Sequence, residues 1–203
     1  MTHLVQPTTT LEIVFGNAQS FTRADLASRL RVQNGELWSH ASTVARLVER
    51  VCQLLRLPPD ETTIAVDAAW LHDIGKLTVP ADILNKPGAL NPDEWVEMQA
   101  HATRGADYLL TCESLRTIAP IVRHHHEWID GYGYPDGLRG ECIPVASRVI
   151  SVVDAFDAMT TSRPYQRQRS TDEALAELRR CSGTQFDPLV VEQLVRLVRD
   201  RER

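Results

Sequence analysis

The chain has 203 residues, is 43% hydrophobic and carries a formal net charge of -5 at pH 7. This length suits one domain with a sizeable core, and the composition excludes a largely disordered chain. The acidic balance argues against a protein that binds a nucleic acid polymer through its phosphates, although a few local cations would suffice for a small phosphate ligand.

The predicted secondary structure is helical throughout, because apolar residues recur at helical spacing. The predicted helices cover about residues 11–33, 37–54, 60–75, 91–110, 114–126 and 144–161, and two more begin near Ser170 and Asp187. The stretch 127–143 is rich in glycine and is predicted to be a loop. We expect an all-α fold, a helical bundle of about seven or eight helices, with a partly helical N-terminal segment at 1–35 and the main domain at 36–203.

Capping signals mark several helix starts. The segment Asn91-Pro92-Asp93-Glu94 combines a cap, a proline at the first helical position and a glutamate that can bond back to the cap. Ser170 and Glu173 have the same spacing. Asp60 is expected to cap the helix that follows Pro58-Pro59.

The cysteines and apolar segments bear on the cellular compartment. The four cysteines are scattered without a CxxC pair, which predicts reduced thiols. The N-terminus lacks a basic segment followed by an apolar run, so no signal peptide is predicted. No apolar stretch approaches the ~20 residues that cross a bilayer. We therefore expect a cytoplasmic protein with no membrane partner.

Residue types that bind metals stand at predicted helix ends and on core-facing helix surfaces. His72-Asp73, in the segment LHDIGK, pairs an imidazole with a carboxylate, a common ligand pair for a divalent metal. Glu36 and His40 lie one helical turn apart, and the paired imidazoles of His125-His126 converge easily at a helix end. Each signal alone has an ordinary alternative: a capping aspartate, a boundary salt bridge, or a solvated helix end.

Combined, the candidate ligands come from separate parts of one small bundle, as they do in carboxylate–histidine metal sites of helical bundles. The set contains His40, His72, Asp73, His101, His125, His126 and Asp154. It exceeds one tetrahedral zinc site and suits two metals that share a carboxylate, most simply Asp73. Glu36 could create a third position. Paired metals activate a water and clamp the oxygens of a phosphoryl displacement.

Other histidine, aspartate and basic residues lie near these candidates in the sequence. His124 points elsewhere on its helix and is interpreted as a non-ligand, and Asp157 is left open between a ligand and a partner of the backbone or Thr161. Fixed cations near a metal pair would neutralise phosphate charge, although a solvated surface is the alternative. These cations are Lys76, Arg148, Arg163 and Arg167.

The motifs LHDIGK, HHHEWIDGYGYP, DGLRGECIPVASRVISVVDAFDAMTTSRPY and SGTQFDP resemble, in order and spacing, the HD-GYP domain, a branch of the HD phosphohydrolases. The resemblance covers about Glu36 to Val191. It implies an all-α bundle with two or three divalent metal ions, most often iron or manganese. It also implies hydrolysis of cyclic di-GMP to linear pGpG and/or GMP.

Matched position by position, the resemblance implies a role for each candidate. His40, His72, Asp73 and Asp154 match the hallmark ligands, whereas His101, His125 and His126 match those of a second site that Asp73 bridges. Glu36 matches a carboxylate associated with a third metal. Lys76 and Asp73 are the catalytic candidates, and the substrate-binding candidates are Arg163, Tyr134, Gly133 and, from its charge, Arg148.

Three departures from the family pattern keep other readings open. Thr43 and the pair Trp128-Ile129 differ from the common residues, and Gln166 stands where a lysine or arginine is frequent, which could weaken phosphate binding. The alternatives are a phosphodiesterase for another cyclic dinucleotide, such as a mixed GMP-AMP ring, or a low-activity nucleotide-sensing or interaction module. Expected partners are a cyclic dinucleotide and signalling proteins such as diguanylate cyclases. The oligomeric state stays open, with a homodimer as one option.

Overall fold

The computed structural model describes residue 11 and residues 21–161 and 168–201. These residues form nine α-helices, which are α1 (Arg23–Gln33), α2 (Gly35–Leu54), α3 (Pro59–Leu71), α4 (Ala81–Leu84), α5 (Pro92–Thr111), α6 (Ala119–Arg123), α7 (Val145–Thr160), α8 (Thr171–Arg180) and α9 (Pro188–Arg201). Short 3-10 helices occur at Ile74–Thr78, Glu113–Leu115 and Gly140–Cys142. The predicted all-α class is confirmed, and α4 is the helix that the sequence pattern did not predict.

The capping predictions hold at two of three helix starts. Asn91 with Glu94, and Ser170 with Glu173, form reciprocal capping boxes at α5 and α8. Asp187 accepts a hydrogen bond from the backbone N–H of Leu189 at 2.9 Å and so caps α9. The assignment of Asp60 was wrong, because α3 begins one residue earlier without a side-chain cap. Proline at a first helical position needs no partner for a backbone N–H, so Pro59 can open the helix.

Two predicted helices are shorter than their apolar pattern indicates. The helix predicted at 60–75 ends at Leu71, and the one predicted at 114–126 is reduced to α6, which ends at Arg123. Pro120 lacks a backbone N–H, so a helix cannot continue through it from the N-terminal side. In both cases the histidines stand in a turn directly after a helix, where their side chains can face a common point.

The core forms around α2, which packs against α1, α3, α7 and α9. Val44, Val48 and Val51 on its inner face have no exposed surface or almost none. Burial of each such side chain stabilises the fold by roughly 1.5–3 kcal/mol. Leu26 and Leu30 of α1 are buried in the same core. The domain boundary at residue 35 stays a prediction, but the described residues just before it contribute to the bundle.

Two glycines allow the backbone of the turn after α3 to approach the backbone of α5 closely. A Cβ atom at Gly75 would lie 1.9 Å from the carbonyl oxygen of His101, and one at Gly105 would lie 3.2 Å from the amide nitrogen of Gly75. Only glycine permits this approach. The turn after α3 therefore rests directly on α5, which brings Asp73 next to His101.

Within the described part of the chain, every helix is too short or too polar to cross a lipid bilayer.

Candidate metal centre

The predicted ligands converge on Asp73, a residue whose surface is 3% exposed. α2 contributes His40, and the turn after α3 contributes His72 and Asp73. α5 contributes His101, and the turn after α6 contributes His125 and His126. Asp154 projects from α7. Five separate elements therefore supply one buried cluster, which a linear sequence can only suggest.

The two carboxylate oxygens of Asp73 face two different groups of histidines. Oδ2 lies 3.8 Å from His40 Nε2 and 3.6 Å from His72 Nε2. Oδ1 lies 3.4 Å from His101 Nε2 and 4.0 Å from His125 Nε2. We call these the Oδ2 group (His40, His72, Asp73) and the Oδ1 group (Asp73, His101, His125, His126), and each has the spacing of a metal site.

Asp154 belongs on the side of the Oδ2 group. Its Oδ1 atom lies 3.0 Å from His40 Nε2 and 3.9 Å from His72 Nε2. A second carboxylate therefore faces the same two imidazoles as Asp73. Mixed imidazole and carboxylate ligands suit first-row divalent metals.

Hydrogen bonds from Nδ1 fix the orientation of four histidines. His72, His101 and His125 each place Nδ1 at 2.6–2.8 Å from a backbone carbonyl oxygen three residues earlier, at Ala69, Met98 and Val122. His40 places Nδ1 at 2.6 Å from Asp157 Oδ2. Because the Nδ1 proton is held in this way, Nε2 is left to face Asp73 as a ligand atom.

The facing atoms lack hydrogen-bond partners among the described residues, although they are fully buried. They are Nε2 of His72, His101 and His125, together with Oδ1 of Asp73. His40 Nε2 differs from them, because Asp154 Oδ1 lies 3.0 Å away. Buried polar atoms are nearly always satisfied, and leaving one unpaired costs about 1–3 kcal/mol. Several such atoms aimed at one another have a simple explanation in bound cations. The residues present therefore fit a metal centre with more than one ion.

The protonation states also suit metal binding in the Oδ1 group. Burial lowers the pKa of His101 to about 4 and that of His126 to about 3. Burial likewise holds the pKa of His125 well below its ordinary value. Because a metal binds the neutral imidazole, these three side chains are ready to bind at neutral pH.

His40 differs from these histidines. Burial acts to lower its pKa, but hydrogen bonds to Asp154 and Asp157 outweigh burial and raise the pKa to about 9. Without a bound cation, His40 is therefore protonated at neutral pH. Its positive charge then lies between the carboxylates of Asp154 and Asp157. A metal in the Oδ2 group would have to displace that proton.

Lys76 holds Asp73 in its charged form. The Lys76 ammonium lies 2.5 Å from Asp73 Oδ2, one turn along the chain. Burial would raise the pKa of Asp73, but the charges of Lys76 and the surrounding histidines keep it well below its ordinary value. The side chain of Lys76 is 20% exposed.

The loop predicted at 127–143 covers the histidine end of the cluster. The ring of Tyr134 stacks on the imidazole of His126 with centroids 4.8 Å apart. Burial, together with the negative charges of Asp73 and Asp154, raises the pKa of the Tyr134 hydroxyl, so it remains a hydrogen-bond donor. A Cβ atom at Gly133 would lie 2.2 Å from the backbone nitrogen of Trp128. Gly133 therefore allows the loop to close against His126 and Trp128.

Not every predicted site residue joins this cluster. Arg148 donates to Asp187 at 2.5 Å and to the carbonyl oxygen of Ile143 at 3.1 Å, so its guanidinium is engaged in holding the start of α9. Glu36 is exposed in the first turn of α2 and is absent from the groups with metal-site spacing among the described residues. Arg163, like Arg167, lies outside the described residues. The roles of all three in the site remain predictions.

Two buried carboxylates support the cluster, and sequence reasoning predicted the contact of Asp157 with Thr161 but neither its contact with His40 nor the role of Glu127. Asp157 was left undecided, although its position three residues after Asp154 is the spacing at which two side chains share a helix face. It holds His40 and also accepts from Thr161 Oγ1 at 3.3 Å. Glu127, directly after the three histidines, was not singled out at all, yet it is 3% exposed.

A third group with metal-site spacing contains His124, Glu127 and Asp136. His124 Nε2 lies 2.9 Å from Asp136 Oδ2, so this imidazole turns away from Asp73 as predicted. Arg123 donates to both oxygens of the same carboxylate at 2.7 and 2.8 Å. The guanidinium already occupies the cation position beside Asp136.

The sequence model of the HD domain family matches residues 26–190 of this chain. The chain belongs to the HD domain family. The match begins inside α1 and ends inside α9, so it includes every element that contributes to the cluster. The resemblance found in the sequence motifs is confirmed at the level of the family.

Curated relatives carry the same domain within longer chains. The chain is 37% identical over 177 residues to the cyclic di-GMP phosphodiesterase response regulator RpfG of Xanthomonas campestris, with 86% of this chain and 47% of the relative covered. It is 34% identical over 173 residues to the 3'3'-cGAMP-specific phosphodiesterase 2 of Vibrio cholerae, with 84% of this chain and 33% of the relative covered. The chain thus spans less than half the length of these relatives.

A solved structure confirms the fold independently. Bd1817, described as an HDG"Y"P protein from Bdellovibrio bacteriovorus, matches with a TM-score of 0.67 at 21% identity. The match covers 87% of this chain and 57% of that chain.

Proposed function

We propose that this protein is a metal-dependent phosphodiesterase that hydrolyses cyclic di-GMP to linear pGpG and/or GMP. The observation that carries the proposal is the set of buried, unpartnered ligand atoms that face one another across Asp73. Buried polar atoms without partners destabilise an ordinary core, whereas in a metal centre such atoms bind the ions. The identity to RpfG, a cyclic di-GMP phosphodiesterase, supports the choice of substrate.

The proposed ligands divide as the geometry does. His40, His72 and Asp154 would hold one ion and His101, His125 and His126 another, with Asp73 shared between them. Iron or manganese is the proposed metal, and Glu36 is the proposed ligand of a third ion. When bound, a metal pair supplies an activated water and positive charge for the phosphate oxygens.

The chain's own residues are proposed to bind and orient the substrate. The Lys76 ammonium, held at 2.5 Å from Asp73, is placed to donate to a phosphate oxygen at the edge of the cluster. Tyr134, whose ring stacks on His126 and whose hydroxyl keeps its proton, is proposed to donate a hydrogen bond to the substrate. Arg163 and Arg148 are retained as proposed phosphate contacts. In the reaction, water adds across one phosphodiester: its oxygen bonds to phosphorus, the P–O3' bond breaks, and O3' leaves with a proton.

A mixed GMP-AMP ring is the second candidate substrate. The chain is 34% identical to a 3'3'-cGAMP-specific phosphodiesterase, a value similar to its identity to RpfG. Both relatives support cleavage of a cyclic dinucleotide. Their substrates differ in one base, which is guanine in cyclic di-GMP and adenine in 3'3'-cGAMP.

The test uses the full chain purified without oxygen and loaded with Fe(II) or Mn(II). The loaded protein is incubated with cyclic di-GMP, 3'3'-cGAMP or the linear dinucleotide pGpG, and the products are separated by chromatography. The metal-free protein is the control. We expect metal-dependent release of pGpG or GMP, with cyclic di-GMP consumed faster than the mixed ring. Faster loss of 3'3'-cGAMP would favour the second candidate, and no turnover of either ring would refute the enzyme proposal.

We also propose a cytoplasmic location, and signalling proteins such as diguanylate cyclases as partners. These follow from the nature of a cyclic dinucleotide as an intracellular signal, and co-purification from cells would test the partners.

A further inference from the structure

Glu127 ties together the two ends of the loop that follows the histidines. Its Oε1 atom accepts the backbone N–H of Asp136 at 2.7 Å, and its Oε2 atom accepts that of Leu138 at 3.1 Å. The side chain is buried, and the two donors lie nine and eleven residues further along the chain. One carboxylate thus spans the whole Gly-Tyr-Gly-Tyr-Pro turn.

Other contacts fix the remaining sides of this loop. The N–H groups of Ile129 and Asp130 donate to the carbonyl oxygens of Gln185 and Thr184 at 3.2 and 3.0 Å. The N–H of Tyr134 donates to the carbonyl oxygen of His126 at 3.2 Å. The loop is therefore held from outside by the segment before α9 and from inside by Glu127.

A metal-ligand role for Glu127 conflicts with these contacts, although His124 and Asp136 stand nearby. Both oxygens of Glu127 already accept backbone N–H groups. Asp136 is engaged by the guanidinium of Arg123. The bonds of Glu127 determine the course of the backbone directly after Tyr134, and Tyr134 is the residue whose ring stacks on His126.

We propose that Glu127 is a positioning residue that sets the place of the Tyr134 side chain over the metal centre, and thereby the affinity for the cyclic dinucleotide. The second half of this proposal, the effect on affinity for the cyclic dinucleotide, rests on the proposed function. The first half, the position of the loop, is a property of the chain alone. Glu127 acts through Tyr134 and leaves His72, His101 and His125 in place, because their imidazoles bond to backbone carbonyls of α3, α5 and α6.

The test compares Glu127→Gln with Glu141→Gln. Glutamine keeps the size of Glu127 but presents an N–H group to one of the two backbone donors, so one of the two bonds is lost. Glu141 is an exposed glutamate near the C-terminal end of the same loop, beyond the stretch that Glu127 holds, and is the matched control. Metal content, thermal midpoint and steady-state kinetics are measured on both metal-loaded full-length variants. Hydrogen exchange of the Asp136 and Leu138 amides is followed by mass spectrometry with fragmentation at single residues.

We expect Glu127→Gln to exchange the amide that loses its bond, that of Asp136 or Leu138, at least about tenfold faster, since hydrogen bonds to a charged group are roughly twice as strong as neutral ones. KM should rise about tenfold while kcat changes little, because uniform binding is lost rather than a contact of the transition state. Metal content should equal that of Glu141→Gln. Unchanged exchange at the two amides would overturn the proposal. So would a metal content that falls with activity, or faster exchange throughout the bundle, since either means a role outside the loop.

Failure of the proposed function gives a different pattern. If no cyclic dinucleotide binds or turns over in the unsubstituted protein, the phosphodiesterase proposal fails. The exchange rates of Asp136 and Leu138 still decide whether Glu127 positions the loop. Faster local exchange combined with an unchanged KM in an active enzyme would overturn the link between the loop and substrate affinity.

Discussion

His40 Nδ1 lies 2.6 Å from a carboxylate oxygen of Asp157, 117 residues further along the chain. This contact joins α2 to α7 and leaves Nε2 of the same imidazole turned toward Asp73 and Asp154. A carboxylate behind a histidine fixes the tautomer and increases the basicity of the opposite nitrogen. The packing of α2 against α7 therefore affects both the orientation of the His40 ring and the basicity of its Nε2 atom.

Removal of Asp157 should weaken one half of the metal centre. In Asp157→Ala, His40 loses the partner that orients its ring, so affinity for an ion in the Oδ2 group should fall about 10- to 100-fold. The Oδ1 group should remain filled, because His101 and His125 are held by backbone carbonyls. Metal titration followed by elemental analysis measures both effects. Asp107→Ala, an exposed aspartate on α5, is the control, and equal affinities in the two variants would contradict the role of Asp157.

Asp73→Ala should have a larger effect, since one carboxylate faces both groups of histidines. We expect turnover to be abolished and bound metal to fall sharply in the anaerobically loaded protein. Inductively coupled plasma analysis and a cyclic di-GMP assay are the measurements. Full activity in Asp73→Ala would show that Asp73 is not shared between ions.

Glu36 tests the third ion that the family resemblance implies. If Glu36 is a ligand, Glu36→Ala should lower the metal count by about one while the Oδ1 group stays filled. If Glu36 is only a surface residue, the substitution should change stability by about 0–1 kcal/mol and leave the count unchanged. The geometry of Asp73 accounts for two ions without Glu36, so an unchanged count would refute the third ion and leave the hydrolase proposal intact.

Gly75→Ala should move His101 of the Oδ1 group away from Asp73. Its new Cβ atom would collide with the carbonyl oxygen of His101, and backbone atoms on both sides must move. Overpacking of this kind costs about 1–3 kcal/mol, so thermal unfolding should begin at lower temperature. Metal affinity should fall as well, because α5 carries His101 away from Asp73. Gly35→Ala has open space around its new Cβ atom and should change neither quantity.

Proton release should distinguish the two halves of the centre. At pH 7 the metal-free protein holds a proton on His40, whose pKa is about 9, whereas His101 and His126 are neutral. An ion that binds in the Oδ2 group should therefore release about one proton, and its affinity should rise as the pH increases toward the pKa of His40. An ion in the Oδ1 group should release almost none. Calorimetric titrations in buffers of different ionisation enthalpy measure this, and equal release at both positions would contradict the assignment.

Local features of the site could be predicted because they depend on neighbours in the sequence. The capping boxes at Asn91 and Ser170 and the loop at 127–143 follow from rules that act over a few residues. Asp73 and the six predicted ligands around it were found in the same way, from residue type and spacing, with the motifs of the HD-GYP domain in support. The length of α6 was not, because Pro120 interrupts an apolar pattern that continues on both sides.

What only the tertiary structure decided is which distant residues share a contact. The sequence by itself determined an all-α chain with an excess of ligand-type residues at helix ends, since these depend on local periodicity and chemistry. It did not determine that Asp157 would face His40, that Arg148 would pair with Asp187, or that Glu127 would span the loop to Leu138. Each of these contacts depends on how the helices pack. Packing is decided by the fit of many apolar side chains at once, and no short stretch of sequence contains that information.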